Sequence, residues 1–289
     1  MTKHLTVVHT SSIRKKRRCD RLYYLSEILG YEPLRVNRNF TFGRLWHLAQ
    51  DAWWGSLLDT PKSRMGNVVQ VLHAHEADPM TVAKASAMMT GYEAKWGHCT
   101  EATLVGTEHR FEVPLDDGIV LRGAADKIIQ RNQDLWIGEH KTTSEDISPG
   151  SNYWKRLWID AQVSNYYNAL QDEGIDVVGV FYDVVRKPMH KPKQDPAEYY
   201  NRLVDAISEK PDYYYGRAEV RRMEHEASEA RNDLYQTAKE IHDRPKEIQH
   251  WPRNSDACVY FGSTCEFFGV CTGTESLNDQ YLFERKQNV

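Results

Sequence analysis

The amino-acid sequence predicts an α/β fold in which helices flank a central mixed β-sheet. Three observations lead there: the first third reads mainly as helix, the middle carries three β-rich runs, and a helix then leads into a nearly continuous apolar strand. The β-rich runs are 103–115 (TLVGTEHRFEVPL), 119–130 (IVLRGAADKIIQ) and 134–143 (DLWIGEHKTT), separated by DDG and RNQ. Both separators favour turns, so the runs read as an antiparallel meander. Residues 153–174 (YWKRLWIDAQVSNYYNALQDEG) return to helix before the apolar run 175–185 (IDVVGVFYDVV). A helix between two strands implies a parallel crossover, and an unbroken apolar strand belongs in a sheet interior.

The remaining elements follow in order. Residues 11–30 (SSIRKKRRCDRLYYLSEILG) set Ile13, Leu22, Leu25 and Leu29 at helical spacing, with Ser11 or Ser12 available as N-cap and Gly30 as the stop. Further helices are read in 40–59, 67–77 and 81–96. The stretch 186–196 (RKPMHKPKQDP) carries three prolines and is expected to be a loop. From about 196 to 244 the sequence is helical and highly charged, as in an exposed covering helix. The whole chain, 1–289, is expected to form one domain: a helical part over 1–100, core sheet and helix over 101–190, helical cover over 191–250 and a cysteine-rich segment over 251–289.

Composition narrows the function classes. With 289 residues, 40% hydrophobic and 11% aromatic, the chain can bury a sizeable core and is not disordered. No stretch approaches the roughly 20 apolar residues that span a bilayer, and the N-terminus lacks the apolar centre of a signal peptide, so no membrane partner and a cytoplasmic location are expected. The net charge of -4 gives no global sign of a polyanionic partner. Nucleic-acid contact would have to come from a local patch, and Arg14, Lys15, Lys16, Arg17 and Arg18 form one on the first helix. A basic run this short also suits a plain solvated helix face.

The chemistry concentrates where the third β-rich run ends. Strand alternation puts Glu139 and Lys141 on one face, while His140 points away and offers only its backbone carbonyl to their side. Asp126 lies thirteen positions before Glu139, so a hairpin can set the two carboxylates across from each other. Close carboxylates repel unless a hard divalent cation sits between them. Such an ion activates water and polarises a phosphoryl oxygen, and a nearby lysine offsets growing negative charge, so the trio suits phosphodiester hydrolysis. Glu-x-Lys occurs three times, at 93/95, 139/141 and 284/286, and alone would equally describe a surface ion pair. Only the 139/141 copy ends an apolar strand beside an aspartate-bearing one. Two pairs share helix faces, Gly43 with His47 and Gln162 with Tyr166; read singly they fit a packed histidine and a half-buried polar pair.

Taken in order, Gly-x-x-x-His on a helix, Asp on a strand, Glu-x-Lys on the next strand and Gln-x-x-x-Tyr on the following helix resemble the RecB-like branch of the PD-(D/E)xK nucleases, from about residue 10 to the C-terminus. The resemblance implies a restriction-endonuclease-like core and a metal-dependent deoxyribonuclease of a bacterial or phage-infected cell. It implies that His47, Asp126, Glu139 and the His140 carbonyl bind Mg²⁺ or Mn²⁺, that Lys141 is the catalytic lysine, and that Gln162 and Tyr166 position the lysine and the DNA backbone. Glu108 matches an acidic position found before the aspartate strand in relatives. DNA ends or single strands are the expected substrates, in recombination, repair or phage DNA metabolism, with a possible recombination or adaptation protein as partner. The alternatives are a CRISPR adaptation nuclease that trims DNA before integration and a non-catalytic DNA-binding protein on the same fold.

Five cysteines in a chain expected in a reducing compartment do not suggest a disulfide framework. Cys258, Cys265 and Cys271 crowd near one end, with six and five residues between them, Cys19 lies near the other end, and Cys99 stands alone. The spacing leaves zinc, an iron-sulfur cluster and buried free thiols open. Members of the same nuclease branch, including CRISPR-associated RecB-like exonucleases and AddB-type helicase-nuclease subunits, resemble this arrangement. That resemblance implies a [4Fe-4S] cluster on Cys19, Cys258, Cys265 and Cys271 that latches the N- and C-terminal segments together. The wide first gap of the trio departs from several relatives, which have two residues there.

Overall fold

A computed structural model describes residues 5–34, 38–75, 77–98, 102–192, 195–260 and 263–286, without the side chains of 38–41 and of Tyr260. Cys99 lies outside the described residues. The chain opens with strand β1 (Thr6–His9) and helix α1 (Thr10–Arg18), then α2 (Asp20–Tyr23), which runs on as a π-helical turn over Tyr24–Ile28, and strand β2 (Tyr31–Pro33). Three helices follow: α3 (Arg38–Gly55), α4 (Pro61–Ala74) and α5 (Pro79–Trp96). The meander is β3 (Ala102–Asp116), β4 (Ile119–Arg131) and β5 (Asp134–Thr143). Helices α6 (Asn152–Leu157) and α7 (Ala161–Asp172) lead to β6 (Val177–Arg186). After them come α8 (Pro196–Glu209), α9 (Pro211–Tyr214), β7 (Tyr215–Arg221) and α10 (Glu224–Asp243). The short elements β8 (Val259–Tyr260), β9 (Ser263–Thr264), α11 (Phe268–Thr272) and β10 (Phe283–Arg285) close the chain.

The main sheet is mixed, in the order β1-β4-β5-β6-β7 with β3 also pairing β4. β4 and β5 form the antiparallel hairpin, and β5 and β6 run parallel, the crossover that the helix between two strands requires. Helix starts are set by local chemistry. Thr60, Asp78 and Asp195 each precede a proline, and each side chain accepts a backbone N–H of the first turn.

The structure departs from the sequence reading at four places. β1 is four residues long, too short to show a pattern, yet buries Thr6 and Val8. The first helix does not run through to Gly30: it breaks at Cys19, whose backbone is extended (φ -165, ψ 125), and His9 rather than Ser11 or Ser12 is its N-cap. Gly30 does end the π-helical turn, with φ 73 in the left-handed region that glycine adopts at little steric penalty. The helix read over 153–174 is two helices, and β7 lies inside the stretch read as a charged cover, where antiparallel pairing with β6 overrides helical composition.

The chain divides into two compact units. The larger comprises Asn37–Arg110 and Ala124–Ala227. On one face of its strands, Leu45, Trp46, Ala49 and Trp53 of α3 and Met88, Met89 and Tyr92 of α5 form a core with Ile129, Trp136, Phe181 and Val185. Burying side chains of this size stabilises by about 1.5–3 kcal/mol each. The opposite face is covered from α6 and α7, where Leu157, Val163, Ala169 and Leu170 are buried and the Tyr182 hydroxyl donates to the Leu157 carbonyl at 3.2 Å.

The other unit comprises Met1–Val36, Phe111–Gly123 and Ser228–Val289, so the two ends of the chain fold together in it. β1 runs parallel to the start of β4 (Val8 opposite Leu121), and β2 pairs antiparallel with β10. Trp251 is fully buried and stacks on Tyr23 with ring centroids 5.6 Å apart, while Arg21 Nε donates to the Trp251 carbonyl at 2.7 Å. No helix among the described residues is long and apolar enough to cross a membrane.

Candidate active site

β5 lies between β4 and β6, which makes its end the centre of the larger unit's sheet. Its pairing with β4 reaches Lys127 opposite Gly138 and goes no further. The next residues on each strand are Asp126 and Glu139. Beyond that rung the His140 N–H has no β4 carbonyl to meet, and it donates instead to Asp126 Oδ2 at 3.2 Å. On its other edge β5 stays paired with β6, Glu139 opposite Tyr182 and Lys141 opposite Val184, so the backbone there is fixed. The hairpin therefore brings Asp126 and Glu139 together, and alternation sends the His140 side chain to the opposite face.

Asp126 Oδ2 lies 3.3 Å from His47 Nδ1, on α3. Glu139 is 2% exposed; its Oε1 accepts from Lys141 Nζ at 2.8 Å and from Gln162 Nε2 at 3.3 Å. Lys141 Nζ also donates to Gln162 Oε1 at 3.2 Å and lies 3.4 Å from Asp160 Oδ2. Gln162 Nε2 reaches the Tyr166 hydroxyl at 3.0 Å. The glutamine is thus oriented at both ends of its amide, one helical turn linking it to Tyr166. Asp160, which nothing in the sequence marks, caps α7 through the Gln162 N–H at 3.0 Å while facing the lysine. A capping aspartate looks like any other in sequence, and only its distance from Lys141 reveals the second role.

Burial raises the Glu139 carboxyl, the Asp126 charge adds to the rise, and Lys141 only partly offsets them, leaving it pushed up to about 7. Burial acts on Asp126 in the same direction, but His47, Lys127 and the His140 N–H outweigh it and hold Asp126 below the ordinary carboxylate range. For Lys141 burial favours the neutral amine, yet the Glu139 and Asp160 charges prevail and keep it protonated well above neutral pH. Burial also opposes the charged form of His47, and Asp126 with Glu139 overcome it to raise its pKa.

A divalent cation fits these residues. Glu139 Oε2 is buried without a hydrogen-bond partner in the structure, beside a second carboxylate that repels it. A buried acceptor of that kind is costly, and a cation bridging it to Asp126 would satisfy it. Asp126, Glu139, His47 and the His140 carbonyl are the donors available. As the side chains stand, no group of three or more His, Cys, Asp or Glu among the described residues is arranged to hold a metal ion. Glu108 is not part of the cluster: it is exposed on β3, with φ 47, and pairs with Arg110 at 3.6 Å.

The face opposite Glu139 holds a second polar network that the sequence did not reveal. Lys127, completely buried, bonds to His140 Nε2, lies 3.9 Å from Asp51 and sits over the Trp54 ring at 5.6 Å. Asp183 Oδ2 pairs with Arg217 at 3.1 Å and accepts from the Tyr92 hydroxyl, to which Arg217 Nη2 donates at 2.7 Å. Gly138 lets the Lys127 stem lie across β5, since a Cβ there would meet Lys127 Cγ at 2.5 Å. Burial, with the nearby Lys127, His47 and Arg217 charges, keeps His140 neutral.

Four of the five cysteines lie in the smaller unit, all partly buried. Cys19 occupies the break between α1 and α2, where its Sγ accepts the Asn254 N–H at 3.3 Å; Cys258 Sγ donates to the Asn254 carbonyl at 3.5 Å. The wide gap between Cys258 and Cys265 contains the antiparallel β8-β9 pair, and the Cys265 N–H donates to the Cys258 carbonyl at 2.8 Å. Sequence separation is thereby folded away. Burial raises the Cys271 thiol, and Cys19 and Cys258 are near enough to add to the rise.

The basic run is partly consumed within the fold. Lys16 is 6% exposed and paired with Asp20 at 2.6 Å and Glu240 at 3.1 Å, which withdraws it from phosphate contact. Lys15 pairs with Glu27 at 2.5 Å, and Arg18 donates to the Ala257 carbonyl at 3.3 Å. Arg14 and Arg17 are exposed.

The chain matches the family described as the PD-(D/E)XK nuclease superfamily over residues 10–272, and it belongs to that superfamily. No curated protein matches it. Among solved structures it is similar to one described as "Crystal structure of SSO0001", at 16% sequence identity, with 82% of this chain and 87% of that chain covered and a TM-score of 0.30.

The Glu139 carboxyl sets a pH dependence. Its folded-state pKa is raised from 4.5 to about 7, so the native state retains a proton that the unfolded state loses. The associated stability is present below about 4.5 and is lost as pH rises through about 7 in metal-free protein. A Mn²⁺ ion bound there would replace that proton, so a stabilising effect of Mn²⁺ should grow over the same interval. Thermal melts with Mn²⁺ and with chelator should diverge as pH rises, and Asp126→Ala should remove the divergence; a Mn²⁺ effect independent of pH contradicts this account.

Proposed function

We propose that this member of the PD-(D/E)XK nuclease superfamily is a Mg²⁺- or Mn²⁺-dependent deoxyribonuclease that acts as an exonuclease on DNA ends or single strands. The observation that carries the reading is the juxtaposition of Asp126 and Glu139, with an unsatisfied Glu139 Oε2, beside a lysine held by Gln162. Asp126, Glu139, the His140 carbonyl and His47 would hold the ion. When bound, a divalent ion in this position lowers the pKa of water and polarises a phosphoryl oxygen.

The protein groups have distinct parts. Lys141 carries its positive charge throughout, because Glu139 and Asp160 keep it protonated, and Nζ is free to exchange one of these acceptors for a phosphate oxygen as negative charge develops. Gln162 holds Nζ by its carbonyl, and Tyr166 fixes which end of the amide faces the lysine. The neutral His140 ring, pinned by Lys127, restrains the peptide whose carbonyl completes the donor set. Arg14 and Arg17 are the exposed members of the basic run, and the reading places phosphate contact there.

The reading includes a [4Fe-4S] cluster on Cys19, Cys258, Cys265 and Cys271. It is supported by the gathering of these four thiols in one unit, by the β8-β9 pair that closes the long gap, and by the joining of both chain ends there.

Two outcomes check the proposal. DNA labelled separately at each end should be degraded with Mn²⁺ or Mg²⁺ from a terminus, and Lys141→Ala should slow it by about a hundredfold or more; equal rates in wild type and variant remove the assignment. Protein purified without oxygen should contain iron and sulfide, lost together in Cys19→Ala; a colourless preparation containing zinc overturns the iron-sulfur part alone.

A further inference from the structure

The turn joining α6 to α7 is fixed from beneath and open above. Arg222 donates to the Trp158 carbonyl through Nη1 and to the Leu157 carbonyl through Nη2 at 3.3 Å, and the Tyr182 hydroxyl donates to the same Leu157 oxygen at 3.2 Å. Arg222 and Tyr182 are both buried, and Leu157 plugs the turn into the core. Charge-assisted bonds from a buried guanidinium hold a backbone firmly. Yet the two side chains that follow stand in solvent, Trp158 59% exposed and Ile159 75% exposed. Neighbouring large apolar side chains on an anchored turn mark a surface that is covered in use.

The location says by what. Asp160, two residues after Trp158, touches Lys141 at 3.4 Å and caps the helix that carries Gln162. The indole is therefore tied by a short, fixed segment to the proposed reaction centre. Just before it, α6 presents Lys155, whose Nζ lies 3.5 Å from the neutral Asn152 side chain, and the half-exposed Arg156, paired with Glu145 at 2.8 Å. A flat aromatic face beside cationic side chains, close to a phosphodiester site, is the arrangement that binds a nucleic-acid strand by base stacking with backbone contact. A base within a duplex already has neighbours on both faces, so only an unpaired base can use such a platform.

Resting on the nuclease reading, we propose that Trp158 stacks on an unpaired base of the strand to be cut and that Lys155 contacts its phosphate, which makes frayed ends and single strands the preferred substrates. Ile159 extends the apolar shelf. Trp158 is a binding residue; it takes no part in bond breaking.

The test measures binding in chelator, where cleavage does not intervene. By fluorescence anisotropy with a labelled single-stranded oligonucleotide, Trp158→Ala should weaken affinity by about tenfold, and Trp158→Phe should lose less. A strand of the same length built of abasic residues should bind wild type and Trp158→Ala alike, and so should a blunt duplex. Equal affinity of wild type and Trp158→Ala for the normal strand, or an equal loss on the abasic one, overturns the proposal. So does a change of oligomeric state in Trp158→Ala, which would show the indole to be covered by a second copy. Because Trp158 is exposed, melting by circular dichroism should be unchanged in the variants. Failure of wild type to cleave DNA would count against the nuclease reading and leave this binding result standing on its own.

Discussion

The structure depends on one awkward placement: Glu139, almost wholly buried, is set beside Asp126 where β4 stops pairing with β5. Two carboxylates in a dry place repel, and the backbone carrying Glu139 is fixed because β6 holds the far edge of β5 in register. The chain compensates from several sides. His47 and the His140 N–H take up the Asp126 charge, Lys141 and Gln162 occupy one oxygen of Glu139, and the other oxygen is left buried without a hydrogen-bond partner. A buried acceptor left over beside a second carboxylate is the feature that a bridging cation would complete.

The opposite side of the same strands shows why the placement is tolerated. Lys127, His140, Asp183, Arg217 and Tyr92 form a buried network in which the ionised groups have partners. Removing one partner from such a set leaves an uncompensated charge, so the network resists rearrangement even if its net contribution to stability is small. It also adds the Lys127 cation behind the two carboxylates. The electrostatics of the site are thus shared between the two faces of one strand pair, with Gly138 leaving room for the lysine stem to lie across β5 on the face opposite Glu139.

Much of this was legible in the sequence. Period-two alternation and a turn of known length set Asp126 opposite Glu139, and 3.6-residue periodicity put Gln162 and Tyr166 on one face; such local rules survive folding. What escaped depended on distant partners. Lys127, Asp183 and Arg217 are single charges in strands, and nothing in their neighbours shows that they meet. β7 lies inside a stretch of charged, helix-like composition, and its antiparallel partner β6 lies about 30 residues away in sequence. Lys16 reads as one of five equivalent cations, but its position on α1 turns it inward toward Asp20 and Glu240. The break at Cys19 is equally silent, since helical spacing continues on either side of it.

On this reading a divalent ion is gripped between Asp126 and Glu139. Diffraction from Mn²⁺-soaked crystals, recorded where manganese scatters anomalously, tests it most directly. The account predicts an anomalous peak within bonding distance of both carboxylates, with Glu139 Oε2 as a ligand and Lys141 still held by Gln162. No peak beside these groups, or one bound elsewhere while Lys141 turns to solvent, would contradict it.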